Sequence, residues 1–460
     1  MSTRARLALA VLAAALFGAP ASAQAHGLVQ RTNLPIPEWL FGWAAAIVLV
    51  VSFAALAVLW PTPRLQQPGW RSLGGFGRFL GSAAVTWVCR AIGVGLFVVV
   101  VLAGYMGEDF ALSNLAPTFI LIIFWVGLAF ASVLLGDLFR VFSPWRAFQF
   151  PGRRPYPERW GRYPAAIALL AFTWIELVSG WGEDPALLVS IALGYTAYTL
   201  AMQFAFGTET WSERGEGFAV YFNLFSRISP WERRDGVIGL RPPLGGLPRL
   251  VPVTGTVFFV TVMIGTVTFD GLSQGSLWTD LSVDIARAID GVVGAADAPK
   301  VADTFGLLLA VALIGLFYRL GIDGARSVGG DIDAPRLRRE FIHTLVPIAL
   351  VYVAAHYLTF LLFEGQAFIY LASDPFGQGW DLFGTASRAI DYTYLSQNAA
   401  WYLQVAFVVA GHVAALILAH DRALALYKDS RLAVRSQYWM LAVMVGFTSL
   451  ALWLLARAGA

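Results

Sequence analysis

Two histidines sit where histidine is expensive. His356 and His412 fall inside long apolar stretches of the chain, and an ionisable side chain at membrane depth marks proton, ion or substrate handling by default. Two imidazoles and a carboxylate suit zinc or another divalent ion, which lowers the pKa of a bound water to about 7 and makes it a nucleophile. Two carboxylates are candidates for that role. Glu176 lies about 7 Å below the end of its own stretch by helix rise, and Glu364 closes the stretch that holds His356. Tyr352, one turn before His356, can complete such a site as a hydroxyl group. It can equally serve only to hydrogen-bond His412 across two helices. No His-x-His or His-Glu-x-x-His pattern occurs, so these residues come from separate helices.

His26 offers a different chemistry. Arg4 and Arg6 precede the apolar run Leu7 to Phe17, Gly18 and Pro20 break it, and Ala23-Gln24-Ala25 has the small-x-small form of a signal-peptidase site. Residues 1–25 therefore read as a cleaved signal peptide. Cleavage would leave His26 with a free α-amine beside its imidazole, a pair that chelates Cu(II) through two nitrogens if a further ligand approaches. The alternative is an accidental residue after the cleavage site.

The elements that must position these residues follow from composition. Of 460 residues, 58% are hydrophobic and 13% charged, against roughly 25% charged in soluble domains. This excludes an ordinary soluble enzyme, and a net charge of +3 gives no basis for nucleic-acid binding. Cys89 is the only cysteine, which excludes an internal disulfide and a cysteine-based metal cluster. Ten stretches are each long enough to cross a roughly 30 Å hydrocarbon core: Glu38 to Trp60, Ala84 to Tyr105, Leu115 to Leu135, Pro164 to Trp181, Pro185 to Phe206, Leu250 to Phe269, Thr304 to Leu320, Phe341 to Phe363, Ala400 to Ala419 and Tyr438 to Leu455. The expected fold is all-α, a single bundle of about ten spanning helices over residues 26–460 in a lipid bilayer.

Starting outside after the signal, ten crossings end outside. Apart from Arg4 and Arg6, only Arg31, Arg287, Lys300, Arg388 and Arg457 among the basic residues then fall on outer segments. That bias obeys the positive-inside rule and predicts a multi-pass protein of a bacterial inner membrane with both termini outside. The loop of residues 207–249 reads as an inner topology anchor, and the apolar spacing of Leu277, Leu281, Ile285, Ile289 and Val292 predicts an amphipathic helix on the outer interface. The Gly and Asp-rich loop from Glu364 to Asn398 reads as a weaker case of the same.

Two hairpins, near 84–145 and 164–231, share features. Gly107-Glu108-Asp109 and Gly182-Glu183-Asp184 form their outer turns, and Ser143-Pro144-Trp145 and Ser229-Pro230-Trp231 lie at their inner exits. The spacing implies parallel duplicated hairpins, as a repeat framing a solute path or as a shared boundary anchor. Gly271-Leu272-Ser273-Gln274-Gly275 matches a nucleophile elbow, but it follows a membrane helix rather than a strand and reads as a chance match.

The run His26-Gly27-Leu28-Val29, then Leu34-Pro35-Ile36-Pro37-Glu38-Trp39-Leu40-Phe41, opening a helix that ends at Trp60-Pro61, and the segments His356-Tyr357-Leu358 to Gln366 and Gly411-His412 through His420-Asp421-Arg422 resemble bacterial membrane proteins labelled fenitrothion hydrolase. The resemblance implies hydrolysis of an organophosphorus triester P–O bond with release of a nitrophenol, but it carries no catalytic motif. Three readings follow. A membrane hydrolase would take an activated water from Glu176, Glu364, Tyr352, His356 and His412, with Zn or Cu as the divalent metal and His26 as a further ligand. A transporter or permease would use the same buried groups for a small solute or a metal ion. A non-catalytic or copper-handling accessory protein would need none of the intramembrane set.

Overall fold

A computed structural model describes residues 38–328, 332–427 and 429–457, which are mostly helical with almost no strand. His26 and the signal segment lie outside the described residues. The principal helices are α1 (Glu38–Leu59), α2 (Ala83–Met106), α3 (Leu115–Leu135), α4 (Tyr163–Ser179), α5 (Pro185–Phe206), α6 (Gly217–Ser226), α7 (Thr256–Ser273), α8 (Ser276–Val293), α9 (Ala298–Ser327), α10 (Val346–Leu362), α11 (Gln397–Leu426) and α12 (Tyr438–Arg457). Each of the ten apolar stretches carries a helix. Among the described residues eight helices are long and apolar enough to cross a membrane, and α4 falls short of that length. The protein is a multi-pass, all-α membrane bundle.

Polar residues set the helix starts. Ser82 accepts from the Val85 amide, Asp184 from that of Leu187 with Pro185 at the first turn, and Ser396 from that of Ala399, each satisfying an orphan donor at a helix N-terminus. The sixth apolar stretch shifts most. Gly255, at φ +79, holds the left-handed conformation that opens α7, so the helix begins at Thr256 rather than Leu250. It then runs on to Ser273, which brings Asp270 into the helix instead of leaving it in a loop.

Burial sorts the helices into a centre and a rim. The spans of Thr256–Ser273 and Ala334–Leu362 are 67% and 72% buried, against 17% for Leu40–Leu59. α7 and α10 therefore form the protein-enclosed middle, while α1 and α2 present apolar side chains outward, as a lipid solvent requires. α7 and α9 cross closely because Gly265 has no side chain: a Cβ there would stand 2.5 Å from the Cα of Val311. Gly265→Val should therefore lower the thermal midpoint in detergent, by an overpacking cost of about 1–3 kcal/mol. An unchanged melt would mean that the crossing is slack.

The segment of residues 207–249, expected to be a plain inner anchor, does more. Its helix α6 turns back into the bundle. Phe218 lies 4.9 Å from Phe124 and 5.1 Å from Phe172, and Tyr221 stacks on Trp125 at 4.5 Å, all ring centroid to centroid. Those partners sit midway along α3 and α4. Eight of the ten α6 residues are buried, so aromatic burial overrides the loop reading that the flanking arginines suggested. Beyond α6, strands Trp231–Arg234 and Val237–Leu240 pair antiparallel, and Arg71–Ser72 joins the free edge of the second.

The two Ser-Pro-Trp exits take different backbones: Trp145 sits in a short 3-10 turn and Trp231 begins a strand. The amphipathic helix expected around Leu277 to Val292 is present as α8. Trp278 anchors it through Nε1 to Asp303 at 2.8 Å, while Leu277, Leu281 and Val292 stay exposed. The Glu364 to Asn398 loop forms two short helical turns and is otherwise irregular.

Candidate functional site

The two most enclosed helices face each other with polar side chains. Asp270, on α7, is buried, and its Oδ2 accepts a hydrogen bond from the Tyr357 hydroxyl of α10 at 2.6 Å. The same oxygen lies 2.7 Å from His356 Nε2. The contact does not have the geometry of an N–H hydrogen bond and is one of proximity. The other ring nitrogen, Nδ1, faces Gly271, where a Cβ would stand 3.8 Å away. By helix rise His356 lies roughly 9 Å from the Leu362 end of α10, and Asp270 roughly 4.5 Å from the end of α7.

A second carboxylate completes the neighbourhood. Glu176 lies within electrostatic reach of Asp270, Tyr221 and Tyr357. Its backbone is part of a π-helical stretch, Ile175–Ser179, and a longer one, Thr118–Gly127, carries Trp125 in the adjacent α3. Such wide turns recur at functional sites because they aim side chains out of the regular helical register. Glu176 Oε2, the Tyr221 hydroxyl and Trp125 Nε1 are buried without a hydrogen-bond partner. Adjacent buried orphans need a reason, and proton or ligand handling is one.

Of the residues expected to form a site, Glu176 and His356 come together around Asp270, and the others do not join them. His412, on α11, lies beside Tyr352, one turn along α10 from His356. Its Nδ1 lies 2.7 Å from the Val408 carbonyl oxygen, its Nε2 is buried without a partner, and it lines a small apolar cavity with Thr344 and Gln437. Tyr352 comes within 6.4 Å of the His412 ring and stacks on Phe447 at 5.9 Å. The simple Tyr352–His412 hydrogen bond is thus replaced by ring packing and a bond to the helix backbone. Glu364 sits in the loop beyond α10, accepting from the Tyr392 hydroxyl at 3.0 Å.

Among the described residues no three His, Cys, Asp or Glu side chains are grouped to hold a metal ion. The Asp270–His356 pair therefore does not make a zinc or copper centre with the described residues around it.

Sequence reading missed Asp270, Tyr221 and Tyr357. Asp270 was assigned one residue past the end of its helix, and Tyr221 to a loop. Tyr357 was passed over for Tyr352 as the hydroxyl partner, although it adjoins His356 in sequence. One sequence signal was available for Asp270: the Thr-bearing apolar segment Thr256 to Thr268 runs into Asp270 without a breaker, so its helix need not end at Phe269.

His420-Asp421-Arg422 has a different role, at the arginine-rich end of the bundle. Asp421 is fully buried. It accepts from Trp60 Nε1 at 3.1 Å, the Leu65 amide at 3.1 Å, Gln66 Nε2 at 2.6 Å and the Arg64 amide. His420 Nε2 reaches the Trp60 carbonyl oxygen, and Arg422 pairs with Glu340 and donates to the Pro248 carbonyl. Three consecutive residues of α11 thereby hold the loop after α1, the segment leading into α7 and the helix Ala334–Phe341 before α10. Comparison with known protein families, with curated protein sequences and with solved structures gives no match.

Proposed function

We infer that this chain is a proton-coupled transporter of the bacterial inner membrane, with Asp270, His356 and Tyr357 as its protonation site and Glu176 and Tyr221 as the groups that pass the proton on. The observation that carries this reading is a single carboxylate oxygen held between a tyrosine hydroxyl and an imidazole, on the two most enclosed helices of a membrane bundle. Buried ionisable groups are costly in a bilayer and are kept where they move ions or protons.

With Asp270 ionised, Oδ2 accepts a hydrogen bond from the Tyr357 hydroxyl and lies against the His356 ring. When Asp270 takes up a proton it gains a donor and loses its charge, and both contacts weaken. α7 and α10 are then held less tightly, which gives proton uptake a route to helix movement. Purified protein in liposomes with an entrapped pH indicator tests the reading: an imposed gradient should drive proton entry that Glu176→Gln slows several-fold. Equal rates with and without the protein would sink it.

The positive-inside bias supports an arginine-rich end facing the cytoplasm. A reporter fused after Pro242 should then read as cytoplasmic and one fused within α8 as external; the reverse at either position would overturn that orientation.

A second reading keeps the hydrolase, and one observation favours it. The His356 edge that faces Gly271 meets no side chain from that residue, so an imidazole oriented by Asp270 could take a proton from water as it attacks an organophosphorus triester, with an aryloxide leaving. Turnover of an aryl phosphotriester by the purified protein, lost in His356→Ala, would favour this reading over transport.

A further inference from the structure

We propose that the arginine-rich end carries a binding site for a phosphate-type oxyanion, either a free phosphate or the headgroup of an anionic lipid. The site is a cavity of about 380 Å³ lined by Arg140, Arg146, Arg162, Arg214 and Arg227, with Asp137 and Glu213 as its acidic members. Five guanidiniums and two carboxylates line one space, so basic groups outnumber acidic ones in its lining.

The pairing of these arginines separates anchors from free charge. Arg140 and Arg146 share Glu209, and Arg214 pairs with Glu158. Arg162 and Arg227 bond no carboxylate among the described residues. Arg162 donates to Thr256 Oγ1 at 2.8 Å, and Arg227 to Asn223 Oδ1 at 3.2 Å and to the Gly246 carbonyl at 3.4 Å. Asp137 is already engaged, accepting from Asn223 Nδ2 and from the Arg140 amide.

Arg162 is only 8% exposed, yet its Nε has no partner, and neither does that of Arg146. Burial first, and the like charge of Arg227 second, push the Arg162 guanidinium down to about 10. A group in that position stays charged at neutral pH, and a bound dianion would relieve both causes.

Guanidinium forks match phosphate oxygens two at a time, and α6, packed beside the cavity, adds the Asn223 side chain as a neutral contact. The volume exceeds that of an inorganic phosphate and leaves room for an ester substituent. Phe139, Phe142 and Trp145, close in sequence to Arg140 and Arg146, line a large apolar cleft between α2, α3 and α5. That proximity suits a lipid source, because acyl chains and headgroup would find apolar and basic surfaces side by side.

The test uses full-length protein, delipidated in neutral detergent, with inorganic phosphate as one probe and nanodiscs of phosphatidylglycerol or phosphatidylcholine as the other. Saturable phosphate binding that raises the thermal midpoint, or selective retention of phosphatidylglycerol, is the expected result. The first identifies a free anion as sufficient, and the second a lipid headgroup. Arg162→Gln combined with Arg227→Gln should weaken whichever is seen at least tenfold, while Arg388→Gln in the far loop leaves it unchanged. Where the double variant does not fold, Arg227→Gln alone should weaken binding and Arg227→Lys restore part of it. Wild-type protein that binds neither probe, or variants that bind as wild type, would overturn the proposal.

Discussion

Asp270→Asn should stop protein-mediated proton entry into liposomes, by at least tenfold, while leaving the bundle folded. Asparagine keeps the shape of the side chain and can still accept from Tyr357, whose hydroxyl lies 2.6 Å from the carboxylate. It can neither take up a proton in the working range nor hold a charge beside His356. Asp270→Ala is the contrasting variant. It strands a buried tyrosine hydroxyl, at about 1–3 kcal/mol for an unsatisfied group, and should lower the thermal midpoint as well as the flux. Proton entry through Asp270→Asn at the wild-type rate, with the protein shown to be inserted, would remove Asp270 from the path. The same variant bears on the hydrolase reading, because a general base that has lost its orienting carboxylate should turn over an aryl phosphotriester much more slowly.

The second large effect lies at the opposite end of the bundle and concerns folding. Asp421→Ala should deprive Trp60 Nε1, the Arg64 and Leu65 amides and Gln66 Nε2 of one shared acceptor. Hydrogen bonds to a charged group contribute about 1.5–3 kcal/mol each, and breaking a buried charged contact on one side costs about 3–5 kcal/mol. That is a large part of the roughly 5–15 kcal/mol by which a protein is stable. Membrane yield should fall sharply, and protein that is recovered should be cut by protease in the loop after α1. Asp421→Asn retains one acceptor and should fall between the two. If Asp421→Ala accumulates and melts like the parent, the residue serves something other than the junction of α1, α7 and α11.

That contrast shows how differently two motifs of one sequence read. His420-Asp421-Arg422 stood in the resemblance to organophosphate hydrolases, but the structure places all three residues in a structural junction. His356-Tyr357 stood in the same resemblance and does reach a buried carboxylate. Nothing in the residue types separates the two cases. The partners do, and they lie 87 residues away for Tyr357 and more than 350 for Asp421.

By itself the sequence determined the solvent and the element type. Without water, backbone groups must pair within their own segment, so apolar runs of about 20 residues become helices whatever surrounds them. Ten such runs were legible for that reason, as was α8, whose alternating faces follow from helical period alone. Tertiary structure decided which helices are central and which residues meet. A membrane helix is apolar on every side, so its sequence carries little periodic signal of the face that will be enclosed. The sorting of α7 and α10 into the middle came from close contacts such as Gly265 of α7 against Val311 of α9 and Gly411 of α11 against Val351 of α10. The turning of α6 into the bundle came from aromatic packing with Trp125 and Phe172, which its own basic flanks obscured. Asp270 became a candidate centre only through these long-range placements, because a carboxylate at the end of an apolar run reads as a boundary until a histidine and a tyrosine from another helix are set against it.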